Sequence, residues 1–215
     1  MSQADLVARY ARLAPAIPVL TIDDADDAVP LARALVESGL PVAEVTLRTP
    51  AAMAAIERIA REVPDAVVAA GTVTRPDQIE AVASAGAKLI VTPGTPLGLA
   101  KALAAGPIPA MPGCSTVSEA LALAELGFQY LKFFPAGAAG GPAWLKSVAG
   151  PCAGLRFCPT GGVDAASAPA YLALPNVVCV GGSWMVPADA VRAKDWGRIA
   201  ALSREAAALP RTAAP

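Results

Sequence analysis

The chain of 215 residues contains no histidine, and only 5% of its residues are aromatic. Without histidine it lacks the commonest general base near neutral pH and the commonest metal ligand. Acid–base chemistry must therefore use carboxylate, lysine, tyrosine or cysteine side chains. The 17 Lys and Arg residues are balanced by 18 Asp and Glu residues, so there is no positive excess to neutralise a phosphodiester backbone. Because aromatic rings for base stacking are also scarce, we expect no nucleic acid partner.

Cysteine pairs and long apolar runs are also missing. The four cysteines form no Cys-x-x-Cys pair, and there is no histidine to complete a zinc site, so we expect no metal site. The cysteines are Cys114, Cys152, Cys158 and Cys179. The N-terminal sequence MSQADLVARYARL carries charges in its first turns and has no apolar core typical of a signal peptide. Although 55% of the residues are hydrophobic, no apolar run reaches the roughly 18 residues of a membrane span. We therefore predict a cytoplasmic location, reduced cysteines and no membrane partner.

Short apolar segments recur along the chain, starting about 19 to 26 residues apart, with helix signals between them. Nearly continuous apolar segments are typical of parallel strands that are covered on both faces. Eight such units predict one domain over residues 1–215, a (β/α)₈ TIM barrel of the α/β class. We also predict an extra N-terminal helix within residues 1–14 and a frayed tail at 210–215. An open doubly wound sheet is less favoured because no G-x-G-x-x-G motif follows the first strand. The predicted strands are 17–22, 43–48, 67–72, 89–94, 108–113, 130–136, 156–162 and 176–183.

Residue types that begin and end helices lie between these segments. Thr49 followed by Pro50 predicts an N-cap and the first helical position after the second strand. Thr116 and Glu119 have the spacing of a capping box. Three glycines are predicted to end helices: Gly39, Gly86 and Gly127.

Lys132 is the one lysine that lies inside a predicted strand, in the segment YLKFFP. Strand alternation places Lys132 and Phe134 on the same face. If that face is the barrel interior, burial favours the neutral amine, which is the form that attacks a carbonyl group. The alternative is a solvated lysine at a strand end. The apolar flanks of Lys132 favour the nucleophile.

The second strand carries Glu44 and Arg48 at positions of the same parity, about 13 Å apart along the strand. We therefore expect them to serve different ends of a site, with Glu44 deep and Arg48 near the mouth. A carboxylate beside a reactive amine can move protons, and arginine binds a substrate carboxylate in bidentate fashion. A structural ion pair that involves Glu44 is an equally good interpretation of this strand alone.

Two glycine pairs follow the seventh and eighth predicted strands, in Thr160-Gly161-Gly162 and Gly181-Gly182-Ser183. In TIM barrels, the loops after these two strands commonly bind phosphate. Glycine lets backbone N–H groups approach an anion closely. The two pairs together predict a phosphate site, although a single Gly-Gly pair is ordinary turn chemistry.

Seven strings in order along the chain resemble the family of 2-keto-3-deoxy-6-phosphogluconate (KDPG) aldolase and 4-hydroxy-2-oxoglutarate aldolase. The strings lie at the second to the eighth predicted strand and so cover most of the chain. The strings are EVTLRT (44–49), GTV (71–73), PG (93–94), PGCSTVSE (112–119), LKFFPA (131–136), FCPTGGV (157–163) and GGSWMVP (181–187).

This resemblance implies a class I aldolase of the Entner–Doudoroff pathway that needs no metal and no cofactor. Its substrates would be a phosphorylated 2-keto-3-deoxy sugar acid and pyruvate, and the family's members are homotrimers. By motif, Lys132 would form the Schiff base and Glu44 would be the general acid/base. The implied binding residues are Arg48 and Thr72 for the pyruvate carboxylate, Pro93 and Phe134 for the pocket wall, Thr160 for the sugar-acid chain, and Gly161, Gly162, Gly182 and Ser183 for phosphate.

The sequence departs from the family pattern in two places and leaves other functions open. Ala70 stands where many relatives have glycine, and AGAAGG at 136–141 replaces a more polar loop. The same site would suit 4-hydroxy-2-oxoglutarate or the 6-phosphogalactonate epimer as preferred substrate. A phosphosugar isomerase or a non-catalytic phosphometabolite-binding barrel would use the glycine loops without the imine.

Overall fold

The computed structural model describes residues 1–211, in which strands alternate with helices along the chain. Within these residues the strands are β1 (Ala16–Leu20), β2 (Val42–Thr46), β3 (Val67–Gly71), β4 (Leu89–Val91), β5 (Ala110–Met111), β6 (Gly113–Cys114), β7 (Tyr130–Phe133), β8 (Arg156–Pro159) and β9 (Val180–Gly182). The α-helices are α1 (Gln3–Ala11), α2 (Ala28–Glu37), α3 (Ala52–Glu62), α4 (Asp77–Ser84), α5 (Leu97–Ala104), α6 (Val117–Glu125), α7 (Gly141–Val148), α8 (Ala168–Leu172), α9 (Ala188–Arg192) and α10 (Trp196–Ala207), with a 3₁₀ turn at Ala25–Asp27.

All paired strands run parallel and form two sheets. Six strands have the order β5-β4-β3-β2-β1-β9, and three have the order β6-β7-β8. Two isolated parallel bridges connect the end strands of the two sheets with residues just outside the facing strand: Phe157 of β8 with Val177 before β9, and Gly181 of β9 with Thr160 after β8. The fold is thus an α/β fold in which a parallel sheet curls into a half-barrel, with the smaller sheet beside it.

The fifth predicted segment is split into β5 and β6 by Pro112. Proline has no N–H group and cannot donate a ladder hydrogen bond. Its carbonyl oxygen still accepts from the backbone N–H of Lys132 at 2.9 Å, so β6 remains in register beside β7.

The strands separate two apolar clusters, which explains why they are apolar on both faces. The larger cluster lies between the outer face of the strands and the surrounding helices. The smaller cluster lies on the inner face, and the N-terminal helix α1 contributes to it through Val7 and Ala11. Its strand members include Ile17, Val42, Ala69, Leu89, Val91, Met111 and Cys158.

Most of the predicted strands end too late in the sequence. Two of these ends have a local cause. Thr72 after β3 has a φ of 59°, which lies outside the strand region, and Pro93 after β4 lacks the N–H group that a ladder needs. The outcome is that several candidate site residues stand just beyond the carboxyl ends of strands: Arg48, Thr72, Pro93, Phe134, Thr160 and Ser183.

The prediction that Thr49 is an N-cap is wrong. Helix α3 begins at Ala52 and has no side-chain cap, because the hydroxyl of Thr49 donates instead to the carbonyl oxygen of Ile22. The capping box at α6 is confirmed: Thr116 Oγ1 accepts from Glu119 N at 3.3 Å, and a Glu119 carboxylate oxygen accepts from Thr116 N at 2.9 Å. The three predicted helix-ending glycines have φ of 88°, 93° and 91°, as left-handed helix ends require: Gly39, Gly86 and Gly127.

Part of the predicted frayed tail, residues 212–215, lies outside the described residues. Before it, the Arg211 guanidinium donates to the carbonyl oxygens of Arg12 at 2.6 Å and Ala14 at 3.4 Å. Over residues 1–211, none of the helices combines the length and apolar character that crossing a membrane would need.

Candidate active site

Lys132 and Glu44 meet inside the fold although they are 88 residues apart in the sequence. Lys132 Nζ donates to Glu44 Oε1 at 2.9 Å, and each residue is only 3% exposed. Glu44 comes from β2, where it stands in register with Ala69 of β3. Lys132 comes from β7, in register with Cys158 of β8. Since register partners in parallel strands share a face, both side chains belong to the inner face.

The surroundings of this ion pair are largely apolar. The Phe134 ring centroid lies 5.3 Å from Lys132 Nζ, and the register partners of the pair, Ala69 and Cys158, belong to the inner cluster. Removing two charges from water is costly, and a buried pair of this kind contributes little net stability. Its place beside the carboxyl ends of the strands, where barrel enzymes carry out their chemistry, favours a role in catalysis over a purely structural one.

A glycine provides the space for the Glu44 carboxylate. A Cβ atom on Gly71 would lie 2.6 Å from Glu44 Cγ and 2.9 Å from Cδ, and closer still to Oε1. Gly71 belongs to the GTV string, but sequence reasoning gave it no part in the site. The available signal was a glycine inside a strand, which often marks the close approach of another group.

Arg48 and Thr72 form a second group, nearer to solvent. Arg48 is exposed, and its Nε donates to Thr72 Oγ1 at 3.2 Å. The left-handed φ of 59° at Thr72 is rare for a β-branched residue, and such conformations concentrate at functional sites. Arg48 therefore lies at the mouth and Glu44 at depth, on the same side of β2.

Pro93 lies close to Gly113, which is the register partner of Lys132. A Cβ atom on Gly113 would lie 2.5 Å from the carbonyl oxygens of both Pro93 and Thr92, and Gly113 stands in register with Lys132. The buried hydroxyl of Thr92 accepts from the Gly113 backbone N–H at 2.8 Å. Thr92 and Gly113 were missed at the sequence level because neither carries a charge.

The two glycine loops lie beside each other after β8 and β9. Gly161 and Gly162 have positive φ of 90° and 74°, and Thr160 bridges to Gly181. Close packing is a second reason for glycine at three positions in these loops, because a Cβ atom there would meet a neighbouring side chain. A Cβ on Gly161 would lie 3.0 Å from the Phe134 ring, whereas one on Gly181 would overlap the Thr160 side chain and one on Gly182 the Trp184 ring. Ser183 is exposed.

The cysteines are poorly suited to nucleophilic chemistry. All four are buried and free. Burial, with a smaller effect from the Glu119 charge, raises the pKa of Cys114 to about 12. A hydrogen bond with Cys158, together with burial, raises the pKa of Cys179 well above its usual value. Thiols with such pKa values stay protonated and react slowly. Within the described part of the chain, no three His, Cys, Asp or Glu residues stand together as a metal-binding group.

Comparison with known proteins gives consistent matches over nearly the whole chain. The family described as KDPG and KHG aldolase matches residues 7–202. The 2-dehydro-3-deoxy-phosphogluconate aldolase of Dickeya dadantii (strain 3937) is 52% identical over 194 residues, covering 90% of this chain and 91% of that protein.

Two solved structures are also similar. The 2-keto-3-deoxy-6-phosphogluconate aldolase of Zymomonas mobilis ZM4 with 3-phosphoglycerate has a TM-score of 0.94 and 44% identity, covering 100% of both chains. The KDPG aldolase of Legionella pneumophila, with pyruvate captured at low pH as a covalent carbinolamine intermediate, has a TM-score of 0.92 and 42% identity, covering 94% of this chain and 98% of that chain. With its charged pair at the strand ends and a family match over most of its length, the chain belongs to the KDPG and KHG aldolases.

Proposed function

We propose that this protein is a class I aldolase that cleaves KDPG to pyruvate and glyceraldehyde 3-phosphate through a Schiff base on Lys132. The observation that carries the proposal is the buried contact of 2.9 Å between Lys132 Nζ and Glu44 Oε1. It joins an amine nucleophile to a carboxylate that can accept its proton. The Legionella relative with pyruvate captured as a covalent carbinolamine supports covalent chemistry with pyruvate.

The first step makes the amine neutral. Lys132 passes a proton to Glu44, and the free amine attacks the C2 carbonyl of the substrate to form a carbinolamine. Glu44 returns a proton to the carbinolamine hydroxyl, which leaves as water and yields an iminium ion. The apolar surroundings exclude competing water and strengthen the interaction between the two groups.

The second step breaks the C3–C4 bond. The Glu44 carboxylate removes the C4 hydroxyl proton, directly or through a water molecule, and the bonding electrons flow into the iminium. Glyceraldehyde 3-phosphate leaves, and an enamine of pyruvate remains on Lys132. Protonation at C3 regenerates the iminium, and its hydrolysis releases pyruvate and the free lysine.

Binding is assigned to groups around the pair. Arg48, steadied by Thr72, holds the pyruvate carboxylate, and Pro93 and Phe134 line the pocket. Thr160 contacts the sugar-acid chain. The phosphate is assigned to the glycine loops, namely Gly161, Gly162, Gly182 and Ser183, whose backbone N–H groups suit an anion. The Zymomonas relative solved with 3-phosphoglycerate supports a phosphorylated ligand.

The proposal extends to the closed (β/α)₈ barrel and to a homotrimer in the cytoplasm. Barrel closure is supported by the two bridges between the end strands β8 and β9 and by the chain continuity of β5 and β6 across Pro112. The trimer rests on the family resemblance, and light scattering should give three times the chain mass. The cytoplasmic location remains a prediction.

The activity is tested by measuring pyruvate release from KDPG, its galactonate epimer and 4-hydroxy-2-oxoglutarate, coupled to lactate dehydrogenase. We expect the highest kcat/KM with KDPG, and loss of release in Lys132→Met. Equal rates with the unphosphorylated substrate would contradict the phosphate assignment. No release from any of the three, with binding retained in Lys132→Met, would instead favour an isomerase or a non-catalytic binding protein.

A further inference from the structure

We propose that Gly71 is a positioning residue for the reaction, because its missing side chain leaves the space in which the Glu44 carboxylate reaches Lys132. This inference rests on the acid/base role proposed for Glu44. The inner face of β3 bears successively smaller residues toward its carboxyl end: Val67, Ala69 and Gly71. The smallest of them stands where Glu44 needs room.

The geometry allows little freedom at this point. A Cβ on Gly71 would come within 3 Å of three atoms of one side chain, namely Cγ, Cδ and Oε1 of Glu44. Real Cβ atoms essentially never stand so close to other heavy atoms, so Glu44 would have to move. Because Glu44 is 3% exposed, the carboxylate has no solvent into which to swing. A shift of these atoms changes the position of the carboxylate that now accepts from Lys132 Nζ at 2.9 Å.

Backbone conformation does not explain the glycine. Gly71 lies outside the left-handed region, which in its vicinity only Thr72 occupies. It pairs with Thr46 in the regular parallel ladder, and its carbonyl oxygen accepts from Leu47 N at 2.8 Å. Alanine fits such a strand conformation without strain. The absence of a side chain at residue 71 is therefore explained by the Glu44 side chain, which occupies the adjacent space.

Replacement of Gly71 by alanine should therefore impair the chemical step rather than substrate binding. A misplacement on the order of 1 Å at a catalytic group costs about 100-fold in rate. We expect kcat for KDPG cleavage to fall about 100-fold in Gly71→Ala, with KM nearly unchanged because Arg48 and the glycine loops are untouched. Gly98→Ala is the matched control, since nothing lies within 4 Å of a Cβ at that glycine, and it should keep the native kcat.

A double-mutant cycle with Glu44→Ala separates positioning from a general structural effect. In Glu44→Ala, the three atoms that lie nearest to a Cβ at residue 71 are absent. The low residual kcat of Glu44→Ala should therefore be the same, within about twofold, whether or not Gly71→Ala is added to it. If Gly71→Ala alone is insoluble, the double variant should regain solubility, because the overlapping side chain has been removed.

The outcomes distinguish this inference from the proposed function. Native kcat in Glu44→Ala would contradict the role of Glu44, and the inference with it. A large loss in Glu44→Ala together with native kcat in Gly71→Ala would overturn the positioning role alone. Equal fractional losses from Gly71→Ala with and without Glu44 would also overturn it, as would a double variant that fails to fold.

Discussion

At the scale of single residues, the sequence predicts the charged members of the candidate site but not the glycines that make room for them. Lys132 could be predicted because a charged residue in an apolar strand is conspicuous, and Glu44 because it stands in a strand that is otherwise nearly free of charge. Gly71 and Gly113 could not be predicted in the same way. Their contribution is space beside the Glu44 carboxylate and the Pro93 carbonyl, and the need for that space becomes visible only when two distant strands are neighbours. The contact between Arg48 and Thr72 likewise depends on the conformation of a single residue.

Loss of the Thr72 hydroxyl should weaken substrate binding. Thr72→Val keeps the β-branched shape but removes the oxygen that accepts from Arg48 Nε. A hydrogen bond to a charged group is worth roughly 1.5–3 kcal/mol, so we expect KM for KDPG to rise about 10-fold or more, with a smaller change in kcat. Steady-state kinetics of Thr72→Val and of the exposed neighbour control Thr74→Val measure this. An unchanged KM in Thr72→Val would refute the proposal that Thr72 steadies the carboxylate clamp.

At the scale of elements, local signals succeed where the partners are close in sequence. The α6 capping box is satisfied within a few residues, and the backbone N–H groups of Ser115 and Thr116 lower the pKa of the Glu119 carboxyl. The Thr49-Pro50 pair has the same kind of sequence signature, yet Thr49 bonds to Ile22, 27 residues away. A tertiary contact with the loop after β1 thus replaces the local cap. Most predicted strands extend too far for a related reason. The apolar residues continue beyond the point where the hydrogen-bond ladder between strands stops.

Thr116→Ala should destabilise the protein through α6. The substitution removes the Oγ1 that accepts from Glu119 N at 3.3 Å, and loss of an N-cap costs about 1 kcal/mol. Urea denaturation at neutral pH should show this decrease in the free energy of unfolding. Ser118→Ala, an exposed change two residues further along the same helix, is the control and should be close to neutral. An equal stability of Thr116→Ala and the native protein would show that the cap bond is not formed in solution.

At the scale of the whole molecule, the strand-and-helix alternation was sufficient to predict a parallel α/β fold. Segments buried on both faces had to be covered by helices outside and by an inner cluster inside. The position of α1 could not be predicted, because its amphipathic pattern would suit either layer, yet it packs on the inner cluster through Val7. The split of the fifth strand at Pro112 also escaped prediction, since a single proline is tolerated at a strand edge. The molecule as a whole brings β2 and β7 to one inner face, and this juxtaposition creates the site.

Trapping the imine tests directly whether Lys132 forms the Schiff base. The native protein is incubated with pyruvate, reduced with borohydride and digested, and the adduct is located by mass spectrometry. We expect a pyruvate-sized addition on Lys132 that is absent from Lys132→Ala. Labelling of another lysine, or no labelling at all, would contradict the assignment of Lys132 as the Schiff-base residue.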